Sequence, residues 1–214
     1  MNVTEALAAR RSIRAFLDKP IPRETLTAIF EAAARTPSWA NSQPWDVFVA
    51  AGETLARIKE GFRENYANAV PAALETPRPL KWSDTAIARQ KQLYPDMLRD
   101  CGDAVEQFGI LNQTMFNAPA VIYICVDKVL SDWSLYDIGA YSQSLMLAAV
   151  EHGLGTIPAI QVTNYPDIIH RELKIPESLK VTIGIAIGYT DTKNAINNFN
   201  SARDPIAQTV AFFD

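Results

Sequence analysis

Apolar side chains recur at helical spacing in several stretches of the chain, which predicts a helix-rich fold. Asn2 and Glu5 have the spacing of a capping box and predict that a short first helix begins here and ends near Arg10. Further helices are predicted from Pro22 to Pro37, Gly52 to about Asn68, Leu135 to His152 and Pro166 to Leu173, with two more in 84–117, interrupted near Pro95. The helix that ends at His152 is apolar on more than one face, so we expect it at the centre or against a second subunit.

Short apolar runs between these helices predict the strands of one sheet. The run Ala120–Val126 is apolar almost throughout, as expected for a strand that is buried on both faces. The other strand-like runs are Asp46–Ala51, Leu154–Val162 and Val181–Tyr189. Together these elements predict an α+β fold in which helices surround one sheet of four or five strands.

One stretch, Val70–Trp82, breaks the regular pattern because it carries three prolines. The length of 214 residues supports one domain with a sizeable core, although two small lobes stay open as an alternative. We therefore interpret residues 1–214 as a single domain with a lid-like excursion at about 65–118. The tail from Asn194 to Asp214 is polar first and apolar at its end, which predicts docking on a neighbouring subunit.

Composition and charge narrow the class of protein. With 48% hydrophobic and 21% charged residues and no apolar run of about 18 residues, the chain has globular composition without a predicted membrane span. The net charge of −4 gives no general attraction to nucleic acid or to an anionic membrane. The first residues lack the apolar core of a signal peptide, and Cys101 and Cys125 are isolated in sequence. We therefore expect a cytoplasmic protein without nucleic-acid or membrane partners.

The loop Thr36–Trp45 has an unusual composition. It holds two prolines, two tryptophans and four small polar residues, and it carries no charge. The prolines end regular structure on both sides, while each tryptophan combines a large apolar surface with a single N–H donor. This combination predicts a shaped loop that presents hydroxyl and amide groups to a flat ligand with polar edges.

Three arginines, Arg10, Arg11 and Arg14, lie close together at the predicted end of the first helix. Such arginines can offset the negative C-terminal end of the helix dipole, or they can bind phosphate through paired N–H donors. The residues alone leave both interpretations open.

No set of side chains stands out for acid–base, nucleophilic or metal chemistry. The chain has only two histidines, and Cys101 has no histidine nearby in sequence that would activate its thiol. Asp137 and His152 lie on the apolar helix, where core or capping roles suit them. The pair Gly153 and Gly155 lacks the third glycine of a dinucleotide fingerprint. We therefore predict no metal site and no catalytic side chain, and chemistry that belongs to a cofactor.

Five blocks of sequence, in order, resemble the FMN-dependent nitroreductase family, and most of all its oxygen-insensitive nitroaromatic (nitrobenzoate-type) reductases. The blocks are Ala9–Phe16, Pro37–Trp45, Gly153–Pro158, Gly184–Tyr189 and Arg203–Pro205. The resemblance runs from about residue 5 to the C-terminus and is weakest from 65 to 118. One block alone would be a weak signal, whereas five in the right order are a specific one.

The resemblance implies a nitroreductase-like fold, with a central, mostly antiparallel sheet flanked by helices. It implies a homodimer with swapped C-terminal extensions and one FMN at each end of the subunit interface. The implied activity is reduction of nitroaromatic compounds, with quinones as a second candidate class, by two-electron ping-pong hydride transfer from NADH or NADPH. Dehalogenation or flavin fragmentation on the same fold, and flavin binding without turnover, are the alternatives.

The resemblance also implies which residues bind the phosphate end of FMN. The FMN-binding run is matched by Arg10, Arg11, Ser12 and Arg14. Arg10 would bind the phosphate, Arg14 would lie near the pyrimidine edge of the ring, and Arg203 matches the C-terminal phosphate ligand. Ser201 stands where many relatives have a lysine, and we expect Arg11 to compensate for that missing charge.

Two further segments are implied to contact the flavin ring. The loop that reaches the flavin from the partner subunit is matched by Pro37, Ser38, Trp39 and Asn41. The segment along the ring face is matched by Pro158, Ala159, Ile160 and Gln161. The backbone N–H of Ile160 would meet flavin N5. Many relatives have a glutamate-glycine pair at Ile160–Gln161, a difference that affects the polarity of the substrate side rather than the redox step.

Overall fold

The computed structural model describes residues 1–213, and in this range the chain forms seven α-helices and one four-stranded sheet. The elements are, in chain order, α1 (Val3–Ala9), α2 (Arg23–Ala33), β1 (Asp46–Ala51), α3 (Gly52–Ala67), α4 (Asp84–Cys101), α5 (Phe108–Gln113), β2 (Ala120–Asp127), α6 (Trp133–Glu151), β3 (Gly155–Ala159), α7 (Pro166–Leu173) and β4 (Leu179–Gly188). The α+β fold expected from the apolar pattern is confirmed. The predicted capping box also forms, because Asn2 Oδ1 accepts from the Glu5 N–H and Glu5 Oε2 accepts from the Asn2 N–H.

The sheet has the strand order β1-β2-β4-β3, and every neighbouring pair is antiparallel. Tyr123 in β2 pairs with Phe48 in β1 and with Gly184 in β4, which in turn pairs with Ala159 in β3. A Cβ atom on Gly184 would overlap Cγ2 of Val162, so glycine lets the chain that follows β3 pack closely on β4. The predicted burial of β2 on both faces is confirmed from Ala120 to Val126.

Each face of the sheet is covered by a separate layer of helices. Leu55 and Phe62 of α3, Leu111 of α5 and Ile169 of α7 belong to the core on one face. On the other face, α2 and α6 pack together, and Leu145 of α6 is fully buried there. Burying one such side chain contributes about 1.5–3 kcal/mol. The apolar pattern of α6 therefore reflects a central position in the fold.

The predicted helix interruption near Pro95 is wrong, because α4 runs through this residue to Cys101. Proline removes one backbone donor, which leaves the carbonyl of Lys91 without its helical partner. Lys91 is exposed, so water can satisfy this carbonyl, and the helix continues. The break falls instead at Gly102, whose φ of +55° ends the helix. A 3₁₀ turn, Gly102–Gln107, then leads into α5.

The first half of the stretch between α3 and α4 is fixed to the rest of the domain. The Ala73 N–H donates to the Asn164 carbonyl (2.9 Å), and the Tyr165 hydroxyl donates to the Val70 carbonyl (3.0 Å). The Glu75 carboxylate accepts from the Val181 N–H at 2.7 Å. We call residues 70–76 the strap. The division into one domain with a lid at about 65–118 stays a prediction.

Candidate active site

A cleft rich in arginine lies between the end of α1 and the C-terminal segment. It is lined by residues 10–12, Arg14, residues 199–201 and Arg203, and none of these residues is acidic. Arg10, Arg11, Ser12, Arg14 and Arg203 are thus brought together from opposite ends of the chain, as the family resemblance implies. Four guanidinium groups without an acid among the lining residues make this cleft suited to an anion.

Two of these guanidinium groups carry buried N–H donors. Nη1 of Arg10 and Nε of Arg14 have no hydrogen-bond partner within residues 1–213. Burial lowers the pKa of Arg10, and the nearby charge of Arg203 lowers it further. Burial also lowers the pKa of Arg14. Nη1 of Arg10 donates to no carbonyl in this range, and a bound anion would satisfy both donors.

Asn197 fixes the arginine run to the C-terminal segment, and the sequence analysis did not identify it. Its buried side-chain oxygen accepts from the backbone N–H groups of Arg14 (2.7 Å) and Ala15 (3.2 Å). Its amide nitrogen donates to the carbonyls of Ala15 (2.8 Å) and Asp191 (2.9 Å). The sequence gives no signal that singles it out, because Asn198 follows it directly and is exposed.

The side chains of Arg14 and Arg203 are both held by nearby groups. Arg14 Nη1 donates to the Ser12 carbonyl (3.0 Å), and its guanidinium carbon lies 5.0 Å from the centre of the Phe199 ring. Arg203 Nη1 donates to Oγ of Ser201 (2.7 Å) and to the carbonyls of Ser201 and Ala202. Ser201 therefore orients the arginine two residues later.

The predicted ring-face segment lies next to the arginine run. Ser12 forms a parallel bridge with Thr156, and the Ile13 N–H donates to the Thr156 carbonyl at 3.0 Å. The segment that follows comprises Pro158, Ala159, Ile160 and Gln161, of which only Ala159 is buried. Ile160 opens the 3₁₀ turn Ile160–Thr163, where the first N–H groups have no partner within the turn. Its N–H is therefore suited to donate to a ligand.

The loop Thr36–Trp45 takes a defined shape on α6. The Gln43 N–H donates to Oγ of Ser38 at 2.9 Å, and the Trp39 N–H donates to Oδ2 of Asp137 at 3.2 Å. Trp45 stacks on Tyr141, with ring centres 4.6 Å apart. Asp137 is buried, and its hydrogen bond to the Trp39 N–H anchors the predicted flavin loop on α6.

Within one chain, the loop is not part of the arginine cleft. Pro37, Trp39 and Asn41 are exposed, Ser38 is half-buried, and none of these four residues lines the cleft. The structure thus brings two of the three predicted groups together and places the third against α6. This separation is compatible with a loop that completes the site of another copy.

The two cysteines are both buried free thiols. Burial raises the pKa of Cys101, and it raises the pKa of Cys125 to about 12, so neither is a ready nucleophile. In the part of the chain that the structure describes, no cluster of three or more His, Cys, Asp or Glu residues could hold a metal ion. In the same range, no helix has the length and apolarity that crossing a bilayer requires.

Comparison with known proteins decides the family. The family model described as the nitroreductase family matches residues 7–189. The chain belongs to the nitroreductase family. It is 29% identical to the 4-nitrobenzoate reductase of Pseudomonas putida, over 92% of this chain and 89% of that protein. It is also 29% identical to nitroreductase NfnB of Mycolicibacterium smegmatis (strain ATCC 700084 / mc(2)155), over 96% and 90% of the two chains.

Solved structures of nitroreductases have the same fold. The chain matches the crystal structure of the FMN-dependent nitroreductase NfnB from Mycobacterium smegmatis in complex with NADPH with a TM-score of 0.89 and 27% identity, over 100% of both chains. The resemblance drawn from five sequence blocks and the predicted nitroreductase fold are therefore confirmed. The individual flavin contacts of this nitroreductase stay predictions.

Proposed function

We propose that this nitroreductase is an FMN-dependent oxidoreductase that uses NADH or NADPH to reduce nitroaromatic compounds. The observation that carries the proposal is the arginine cleft without acidic lining residues, joined to the segment 158–161 through the bridge between Ser12 and Thr156. Further support is the similarity, over the whole chain, to an FMN-dependent nitroreductase that was crystallised with NADPH.

The residues present fit FMN. The unpartnered donors of Arg10 and Arg14 match an anionic ligand, and Arg203 adds a third guanidinium. Arg10 and Arg203 would hold the phosphate, while Arg11 would supply additional positive charge. When bound, FMN would take up a hydride from the nicotinamide and deliver it to the oxidant, in ping-pong order.

The protein groups near the ring would orient it and stabilise charge. Arg14, held by the Ser12 carbonyl and by Phe199, would place fixed positive charge at the pyrimidine edge and favour negative charge there. The Ile160 N–H would donate to N5, while Pro158, Ala159 and Gln161 would lie along the ring. Hydride transfer would then depend mainly on close placement of the two reactants, and no nucleophilic side chain is required.

We further propose a homodimer in which Pro37, Ser38, Trp39 and Asn41 complete the site of the second copy. The exposed loop outside the arginine cleft supports this proposal. So do the exposed apolar side chains of the C-terminal segment, Ile206, Phe212 and Phe213, which docking on the second copy would cover. Both cysteines are free thiols, which supports the cytoplasmic location expected from the sequence.

The test is the purified protein itself. We expect yellow protein with bound FMN, whose colour is bleached by NADH or NADPH without oxygen and restored by a nitroarene or a quinone. Colourless protein that neither binds FMN nor consumes NAD(P)H with a nitroarene would contradict the proposal. Yellow protein that no nicotinamide bleaches would instead identify a flavin-binding protein without turnover. Products from halotyrosines, or from reduced FMN with oxygen, would reveal dehalogenation or flavin fragmentation.

A further inference from the structure

Three large aromatic side chains are exposed next to one another where the loop meets α6. Trp39, Trp133 and Tyr136 have exposed fractions of 69%, 60% and 75%. Trp39 meets Trp133 edge to face, with ring centres 6.2 Å apart and planes at 76°. Trp133 and Tyr136 are nearly parallel, at 24°, with centres also 6.2 Å apart. We call these three residues the aromatic ledge.

The backbone beneath the ledge is fixed. The Trp39 N–H donates to Asp137, which is buried and lies on α6 one residue after Tyr136. Trp133 and Tyr136 occupy the first turns of α6, where helix geometry sets the direction of their side chains. The ledge is therefore a built surface rather than three unrelated exposed rings.

Exposing this much ring surface to water is unfavourable, at about 25 cal/mol per Å² of apolar area, so a contiguous patch of this kind indicates a ligand or a partner. Its chemistry favours a planar aromatic ligand. Indole and phenol rings are electron-rich, and they stack well on rings that nitro or quinone oxygens make electron-poor. Trp39 belongs to the loop that carries Ser38 and Asn41, the residues we place at the flavin of the second copy.

We propose that Trp133 and Tyr136 are specificity-determining residues, which together with Trp39 form the wall on which the planar oxidant stacks in the second copy's site. This assignment rests on the proposed function. It adds two residues of α6 to a site that the sequence blocks confine to the loop, the arginine run and the ring-face segment.

The test compares Trp133→Leu, Trp133→Phe and Tyr136→Leu with the wild type. Steady-state kinetics are measured with 1-nitronaphthalene, a planar two-ring oxidant, and with ferricyanide, which has no ring to stack. We expect Trp133→Leu to raise the KM for 1-nitronaphthalene about 3- to 10-fold, with a smaller effect for Tyr136→Leu. Trp133→Phe keeps an aromatic face and should recover most of the loss. Ferricyanide turnover, FMN content and sedimentation should not change.

Three outcomes would contradict the proposed role of the aromatic ledge. Equal changes for the two oxidants would show that stacking is not involved, and an unchanged KM for 1-nitronaphthalene would show that the rings do not meet the substrate. Loss of the dimer or of FMN in Trp133→Leu would assign the ledge to subunit contact. Failure of the proposed function would show in the wild type itself, as protein that lacks FMN or does not reduce 1-nitronaphthalene.

Discussion

At the scale of single residues, the unpartnered buried donors of Arg10 and Arg14 indicate that the cleft binds an anion. An unsatisfied buried donor costs about 1–3 kcal/mol, and more when it carries charge, so these two side chains are stabilised when an anion fills the cleft. Arg203 differs from them, because it is exposed and held by its own neighbours, Ser201 and Ala202. It can therefore be removed with little effect on the fold.

Arg203→Ala should lower FMN affinity about tenfold or more while the dimer persists. The reason is that a charge-assisted hydrogen bond to phosphate contributes about 1.5–3 kcal/mol. Fluorescence titration of the apoprotein with FMN measures the effect, and Arg171→Ala on the exposed face of α7 is the matched control. Flavin occupancy equal to that of the wild type would argue against the placement of Arg203 on the phosphate.

Asn197→Ala should lower the free energy of unfolding by about 2–4 kcal/mol. The variant leaves buried backbone groups of Arg14, Ala15 and Asp191 without their partner. Urea denaturation measures the loss, and Asn198→Ala, at an exposed neighbouring position, serves as the control. A loss no larger in Asn197→Ala than in the control would mean that the amide does not fix the arginine run.

Sequence patterns could locate the arginine run and the loop, since each is a compact block with its own composition. They could not assign roles to Asn197 or Asp137. Asn197 bonds a backbone group 183 residues away, and Asp137 bonds one 98 residues away. A single polar residue gives no information about such a distant partner until the fold is known.

At the scale of elements, the pattern located the long, strongly apolar segments well. The bounds of α7 and β1 match the prediction, and the long apolar segment became α6. Pro95 misled the prediction because the cost of a proline depends on whether the freed carbonyl reaches water. The strand order β1-β2-β4-β3 did not follow from the pattern either, since periodicity carries no information about which strands are neighbours.

One carboxylate of the strap, that of Glu75, contacts several groups of the domain. Glu75 accepts from the Val181 N–H and from Nε2 of His170 (3.0 Å), and its other oxygen lies 3.5 Å from Nζ of Lys128. Burial alone would raise the pKa of Glu75, but these three partners outweigh burial and hold the pKa below its usual value. The strap is thus stabilised by the ionised form of Glu75.

Glu75→Gln should lower the free energy of unfolding by about 1 kcal/mol at pH 7, a modest value because water partly screens the cluster. A depressed carboxyl pKa contributes stability above the unfolded pKa, and this stability is lost as the pH falls through the folded value. The difference between variant and wild type should therefore shrink below about pH 4. Urea denaturation at several pH values measures it, and a difference that does not change with pH would contradict this role of Glu75.

At the scale of the whole molecule, the proposed homodimer makes the arginine cleft of one copy and the loop of the other two halves of one site, which a mixed dimer can test. A cleft variant, Arg10→Ala with Arg203→Ala, and a loop variant, Ser38→Ala with Asn41→Ala, should each bind FMN weakly as homodimers. A mixed dimer with one chain of each variant should have one intact site and one defective site. In the intact site, the unaltered cleft of the loop variant meets the unaltered loop of the cleft variant.

Co-expression with two affinity tags isolates this mixed dimer, and its FMN content is compared with that of both homodimers. Mixed dimers that bind no more FMN than the homodimers would show that each chain builds its own site. A loop variant that keeps full flavin affinity alone would remove the loop from the site.

The shape of the loop has a consequence for how a ligand binds there. Ala40, Asn41 and Gln43 have φ values of +51°, +56° and +46°, a conformation that costs roughly 1–2 kcal/mol per residue. Asp137 and the stack of Trp45 on Tyr141 compensate for this strain during folding. A ligand then meets a preorganised loop, and little conformational entropy is lost when it binds, since the backbone has already lost it.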